Sequence, residues 1–333
     1  MTTASGARIS DLVAALIAQE KLPEHFAATV ERHFLPLAAR IAHKARVLNV
    51  PLRVGINGAQ GTGKSTLALF LRHLLSDCHG LPCASFSLDD IYLTHAQRAE
   101  LARTIHPLLQ TRGVPGTHDL SLGQRTVDAL IHAEEKQITP IPAFDKATDD
   151  RAPLDNWPRF QGPARIVLIE GWCVGVTPQP DLWLDTPINA LERNEDSDGH
   201  WRHYVNQTIA ESYAPFFAAL DWLIMLQAPS MECVAQWRTL QEQKLARQLL
   251  LPHPGAIKNL TATNYAELVK EHAPDRRIMS PKEIQRFVMH YERLTCWMLE
   301  EMPARADTLF TINEHHDITG VIYHDLPQTY RIQ

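Results

Sequence analysis

The chain holds 333 residues, 45% of them hydrophobic and 21% charged, with 32 basic and 38 acidic side chains and a formal net charge of −6. Such a composition can bury a sizeable core. The acidic balance, with no block of five like charges, argues against a nucleic-acid tail or a polybasic membrane anchor. The five cysteines, Cys78, Cys83, Cys173, Cys233 and Cys296, are odd in number and contain no C-x-x-C pair, so reduced thiols in a cytoplasmic protein are expected. Met1 to Ala7 lead into an amphipathic pattern with acids at Asp11 and Glu20 rather than a basic start and apolar run, and no stretch approaches the roughly 18 apolar residues that span a bilayer.

In chain order, Ile9 to Ala45 place apolar residues at helical spacing, broken near Pro23, which predicts two helices. Leu52 to Asn57 is a short apolar run ending in glycines and reads as a buried strand; Lys64 to Cys78 then predicts a helix with Leu67, Leu71, Leu74 and Leu75 on one side. Four further apolar runs, Cys83 to Leu88, Ile166 to Ile169, Trp222 to Leu226 and Thr308 to Ile312, supply strands for a parallel sheet. A stretch rich in Gly, Pro, Asp and Arg fills residues 103–162 around a helix near Gly123 to Glu135, the kind of irregular segment that forms substrate loops. The expectation is an α/β fold with a mainly parallel five-stranded sheet flanked by helices. Residues 1–50 would form an N-terminal helical extension and 51–333 the main domain, with an acceptor-binding insert near 103–162 and a lid near 231–262.

The residues Gly58-Ala59-Gln60-Gly61-Thr62-Gly63-Lys64-Ser65 match G-x-x-x-x-G-K-[ST] between a predicted strand and a predicted helix. Glycines 58, 61 and 63 permit backbone angles that turn successive N–H groups toward a phosphate, and the helix beginning at Lys64 adds its positive end. Lys64 suits the β- and γ-phosphates of ATP, Ser65 a Mg²⁺ ion, and Thr66 the region of the α-phosphate. The second strand ends in Asp89 and Asp90. Where strand ends line the ligand crevice of a parallel sheet, a carboxylate there can orient an attacking hydroxyl. An Asp-Asp pair also suits a helix cap or turn, and that reading stays open for at least one of them. The third strand delivers Glu170, in the position of an acid that holds Mg²⁺ directly or through water.

With these three motifs in order, the chain resembles the superfamily of phosphoribulokinase, uridine kinase and bacterial pantothenate kinase, and within it the P-loop D-glycerate 3-kinases and their bacterial relatives. The resemblance covers about residues 50–315. It is carried by Gly55 to Gly58, Ser87 to Tyr92, Arg112-Gly113-Val114-Pro115-Gly116-Thr117-His118-Asp119, Phe144 to Lys146, Glu170-Gly171-Trp172, Trp201 to Asn206, Trp237-Arg238 with Gln241-Glu242, and Phe287 to Leu294. It implies that Asp89 activates the acceptor hydroxyl, with Asp90 and Tyr92 beside it as acceptor-binding residues, and that Phe144 to Arg151 lines the acceptor pocket. Asp149 stands where uridine kinases carry a base-facing histidine, which weakens a nucleoside acceptor. Trp237, Arg238 and Lys244 fall in the lid, which is here partly glutamine, and Arg238 would offset charge on the transferring group.

Arg112, Lys146 and Arg151 are candidate partners for an acceptor carboxylate and equally suit a solvated surface. His118 and Asp119 could contact acceptor hydroxyls, or His118 could cap a turn. His315, His316 and the other histidines show no metal-ligand spacing. The implied reaction is transfer of the ATP γ-phosphoryl group to a hydroxyl of a small acceptor, D-glycerate first, with a nucleoside, a pantothenate-like molecule or another sugar acid as alternatives. A regulatory nucleotide switch is the rival class. Neither a nucleic-acid nor a membrane partner is expected, and the oligomeric state is left open.

Overall fold

The computed structural model describes residues 3–273, 276 and 278–324. Met1 and Thr2, where the expected extension begins, and 325–333, where the expected main domain ends, lie outside the described residues. The helices are α1 (Thr3–Gln19), α2 (Leu35–Leu48), α3 (Lys64–His73), α4 (His95–Thr104), α5 (Leu120–Ile131), α6 (His200–Thr208), α7 (Met231–Leu249), α8 (Tyr265–His272) and α9 (Pro281–Glu301), with shorter turns between them. The central strands are β1 (Leu52–Gly58), β2 (Cys83–Ser87), β3 (Ile166–Gly171), β4 (Trp222–Gln227), β5 (Thr308–Ile312) and β6 (Ile318–Tyr323), in the order β6-β5-β4-β1-β3-β2.

The five expected strands are all present and mutually parallel. The sheet has a sixth strand, which corrects the expected count: β6 returns antiparallel to β5 at the edge. Gly320 interrupts its apolar run, and its register shifts between Ile318 and Gly320, so its strand signal is weak in sequence. The helix read as continuous from Lys64 to Cys78 is α-helical to His73 and closes in a π turn over Leu74–Cys78.

Alternation along the buried strands separates two cores. Leu52, Val54 and Ile56 of β1, Ile166 and Leu168 of β3, and Trp222, Ile224 and Leu226 of β4 face one side, covered by Leu16, Phe34, Leu37 and Ile41 of the N-terminal helices and by Phe70 of α3. Val167 and Ile169 of β3 with Leu223 and Met225 of β4 face the other, against α5, α6 and α9 through Leu130, Val205, Leu294 and Met298. The N-terminal helices therefore complete one face of the sheet. A third, smaller core of Ala246, Leu250, Ala256, Tyr265, Val269 and Ile284 joins α7, α8 and the start of α9. Among the described residues no helix is long and apolar enough to cross a membrane.

The register brings the carboxyl ends of β1, β3 and β2 level, pairing Asn57 with Gly171 and Ser87 with Glu170. Behind this edge, Asn57 donates from Nδ2 to the carbonyls of Trp172 (3.1 Å) and Val174 (2.8 Å), tying β1 to the turn after β3.

Leu168 has no exposed surface, so Leu168→Ala should cost about 2–5 kcal/mol through lost burial and the cavity left behind. A urea-unfolding midpoint unchanged from wild type would show that Leu168 is not packed in the core that the N-terminal helices cover.

Candidate active site

The loop from Gly58 to Lys64 closes on itself. Thr62 is buried and donates from Oγ1 to the carbonyl of Ala59 (2.8 Å), while its amide reaches the same carbonyl (3.2 Å). Gly61 (φ 89°) and Gly63 (φ 87°) lie in the left-handed region that side chains disfavour. Gly58 is needed for a different reason than the backbone angle expected: it is absent from the positive-φ glycines, but a Cβ there would stand 2.4 Å from Thr62 Oγ1, so only a glycine lets the loop fold over β1. Gly63 caps α3, so Lys64, Ser65 and Thr66 occupy its first turn.

Ser65 Oγ donates to Glu170 Oε1 at 2.9 Å. Glu170 is 7% exposed, and its Oε2 is buried without a hydrogen-bond partner among the described residues. A hydroxyl and a carboxylate with a spare oxygen suit a small hard cation that keeps most of its ligands as water and phosphate, so the residues present fit Mg²⁺. No group of three or more His, Cys, Asp or Glu side chains among the described residues forms a separate metal cage.

The Asp-Asp pair divides its roles. Ser87 caps the short 3₁₀ turn Leu88–Ile91, its Oγ accepting from the Asp89 amide (3.1 Å), and Asp90 Oδ2 accepts from the Ser87 amide (2.9 Å) to close a capping box. Asp90 is thus the residue that closes the capping box, and burial raises its pKa to about 6 against the pull of the Ser87 amide. Asp89 accepts from Tyr92 Oη on Oδ1 (2.7 Å) and from Lys146 Nζ on Oδ2 (2.6 Å). Burial pushes its pKa up, but the charge and hydrogen bond of Lys146, helped by Tyr92 and the charge of Lys64, bring it down to about 2. Its carboxylate is half-buried and faces polar partners rather than core.

The segments that carried the family resemblance interlock. Trp172 Nε1 donates to the Gly113 carbonyl (2.8 Å), Tyr291 Oη donates to that of Arg112 (3.1 Å), and Thr117 Oγ1 accepts from the Gly113 amide (3.0 Å) while donating to the Val114 carbonyl (2.7 Å). His118 is buried, its ring stacked on Tyr92 (centroids 4.6 Å) with Nδ1 2.7 Å from Tyr213 Oη. Burial lowers its pKa to about 4 against the opposing charge of Asp89, so it is neutral near pH 7. Asp119 caps α5, accepting from the Leu122 amide (2.8 Å), and its other oxygen meets Arg151 Nη2 (3.2 Å).

The three candidate carboxylate-binding cations are all ion-paired: Lys146 with Asp89, Arg151 with Asp119, and Arg112 with Asp149. Asp149 is also held by Arg98 at 2.9 Å. Arg98 and Tyr213 had no place in the sequence reading. Arg98 sits in a polar helix that looks solvent-facing, yet it is 1% exposed and donates to the carbonyls of Leu93, Gln110 and Asp149. Arg238 is held on its own helix by Glu242 and by Gln241 Oε1 (3.1 Å), with its guanidinium 5.4 Å from the Phe287 ring. Lys244 is exposed.

A closed phosphate loop opening a helix from a parallel sheet, with a Ser–Glu pair and a second carboxylate at neighbouring strand ends, defines a P-loop nucleotide-binding fold. No protein-family model matches the chain. It is 32% identical over 249 residues to the uncharacterized kinase mug58 of Schizosaccharomyces pombe, covering 72% of this chain and 78% of that protein. It is 30% identical over 205 residues to the chloroplastic D-glycerate 3-kinase of Arabidopsis thaliana, covering 60% of this chain and 42% of that protein. The solved structure of D-glycerate 3-kinase from Cryptococcus neoformans superposes with a TM-score of 0.65 at 22% identity, over 90% of this chain and 99% of that one, and shows the same fold. The chain belongs to the P-loop D-glycerate 3-kinase-like family of kinases.

The folded pKa of Asp89 lies below its ordinary 3.8. The ionised pair with Lys146 therefore stabilises the fold above that pH, and the contribution is lost as pH falls through about 2. In Lys146→Ala, burial loses its main opponent, and a ¹³C-carboxyl NMR titration should show the Asp89 midpoint climbing above 3.8. A midpoint still near 2 would remove Lys146 as the cause.

Proposed function

We propose that the chain transfers the γ-phosphoryl group of ATP to a hydroxyl of D-glycerate, with Mg²⁺ as cofactor. The observation that carries this reading is the placement of an ionised, half-buried Asp89 one strand away from the Ser65–Glu170 pair and its phosphate loop. The family's kinase relatives supply the nucleotide, and the resemblance to glycerate kinases supplies the acceptor.

The loop amides from Ala59 to Thr66 hold the phosphates, and Lys64 places its charge against the β- and γ-groups. Ser65 and Glu170 would hold the metal ion, which would supply positive charge to offset that of the phosphates. Asp89, kept anionic by Lys146, accepts the hydrogen bond of the acceptor hydroxyl and holds it in line with the γ-phosphorus. A carboxylate with a pKa near 2 is a weak base, but the loose transition state of phosphoryl transfer asks for positioning more than for proton removal. Tyr92 fixes the other oxygen of Asp89, and neutral His118 supports the Tyr92 ring. Lys146 and Arg151 lie on the short hairpin that pairs Phe144–Asp145 with Asp150–Arg151, and Arg112 is bonded to Asp149 of its turn; these cations, each now held by an aspartate, are the groups that would meet a glycerate carboxylate. Asp90, which closes the capping box of the turn, positions Asp89 rather than contacting the acceptor, and Asp119 anchors Arg151. Asp149, bonded to both Arg98 and Arg112, is not free to face a nucleobase, which favours a small acid over a nucleoside. Arg238, engaged with Glu242, is assigned no step.

With ATP, Mg²⁺ and a panel of acceptors, ADP release should be fastest with D-glycerate, and NMR of the product should place the phosphate on one hydroxyl. Turnover indifferent to every acceptor would overturn the kinase reading, and a faster sugar or nucleoside would overturn only the choice of acid. Asp89→Asn should lower kcat by about 10²–10⁴-fold at unchanged ATP affinity, because it keeps the shape of the site and removes the charge that orients the hydroxyl. Full activity in that variant would exclude the role. Ser65→Ala should raise the Mg²⁺ concentration needed for half-maximal rate, and an unchanged requirement would place the ion elsewhere.

A further inference from the structure

The outer side of the phosphate loop is not free. Gly61 lies directly against Trp237 of α7: a Cβ on Gly61 would stand 2.8 Å from Trp237 Cβ and 3.3 Å from its Cε3. The indole is 4% exposed, and its Nε1 donates to the carbonyl of Glu314 (2.9 Å) in the turn that joins β5 to β6. That turn is built around Asn313, whose Oδ1 accepts from the amides of His315 (2.9 Å) and Asp317 (2.8 Å) and whose Nδ2 donates to Asp317 Oδ2 (3.1 Å). It holds His316 at φ 69°, a left-handed conformation uncommon for a residue with a side chain. The result is an imidazole whose centroid lies 4.4 Å from the Trp237 ring, on the indole that backs Gly61. A backbone held in a sparsely populated region persists where its surroundings over-determine it, and such positions gather at functional sites.

We propose that Trp237 and His316 are positioning residues that clamp the phosphate loop from outside at Gly61, holding its amides in the shape that receives a nucleotide phosphate. The inference rests on the proposed nucleotide site and adds to it a residue pair that acts through the backbone of Gly61. Trp237 belongs to the Trp237-Arg238 segment, and the clamp gives that segment a task separate from any charge on Arg238. A clamp that supports the loop alike with nucleotide bound and in the transition state contributes uniform binding. Its loss therefore appears in nucleotide affinity and not in turnover at saturation.

Trp237→Phe keeps an aromatic ring beneath Gly61 and removes the donor to Glu314; His316→Asn tolerates the left-handed turn and removes the ring. Binding of ADP with Mg²⁺, followed by calorimetry on the full chain, should weaken roughly three- to ten-fold in each variant, the scale of one hydrogen bond or one aromatic pair. The KM for ATP should rise by a similar factor, kcat should stay within about two-fold, and the melting temperature should hold within a few degrees. The double variant should lose less than the product of the two single effects, because both residues act through one contact. Unchanged ADP affinity in both single variants, whatever happens to the melting temperature, would reduce the pair to packing and overturn the clamp. A fall in kcat with KM unmoved would overturn it too. Wild-type protein that binds no nucleotide would overturn the proposed function and the clamp together, whereas normal wild-type binding with indifferent variants overturns the clamp alone.

Discussion

Everything at the functional edge depends on the register of three parallel strands. With β1 beside β3 and β3 beside β2, Asn57 lies opposite Gly171 and Ser87 opposite Glu170, so the phosphate loop, the Glu170 carboxylate and the Asp89 turn leave the sheet at one level. Side chains alternate with a period of two, so a slip of one residue would exchange the two cores and turn Glu170 into a packed face. The register is enforced by burial: β3 is buried along its whole length, between one core built with the N-terminal helices and another built with α5, α6 and α9.

On that platform the site is made of charges that satisfy one another. Asp89 meets Lys146, Asp119 meets Arg151, and Asp149 meets both Arg98 and Arg112. Buried charges are costly unless paired and hydrogen-bonded, and pairing gives each group a defined orientation before any ligand arrives. Farther back, Arg202 with Asp196 and Arg293 with Glu192 do the same for α6 and α9, each arginine also donating to main-chain carbonyls. The loop Arg112 to Asp119 is locked to Trp172, Tyr213 and Tyr291, which explains why the segments carrying the family resemblance, scattered along the chain, are neighbours in space.

The phosphate loop sits between two kinds of support. Inside, Thr62 folds over Gly58 and Ser65 reaches Glu170. Outside, Trp237 and the β5–β6 turn close against Gly61. Helix α7 joins the region expected to act as a lid to the loop it would cover. The smaller core that α7 shares with α8 and α9 makes this region a packed unit and not a loose flap.

The sequence by itself determined the features that contiguous residues encode: five parallel strands from short apolar runs, the loop from glycine spacing before a helix start, and acids at strand ends. Each depends on local backbone geometry and alternation, which a short stretch carries whole. It also left open which of Asp89 and Asp90 would close a helix cap, and the capping box gives that place to Asp90, because both residues suit it until Ser87 takes a partner. The antiparallel sixth strand, the burial of Arg98, the link from Tyr213 to His118, the capture of Arg238 by Glu242 and the stacking of His316 on Trp237 belong to the tertiary structure. Their partners lie on other elements, or on a helix whose exposed face is known only once it has packed. A polar side chain's task is set by whichever group desolvates and pairs with it, and no local pattern records that choice.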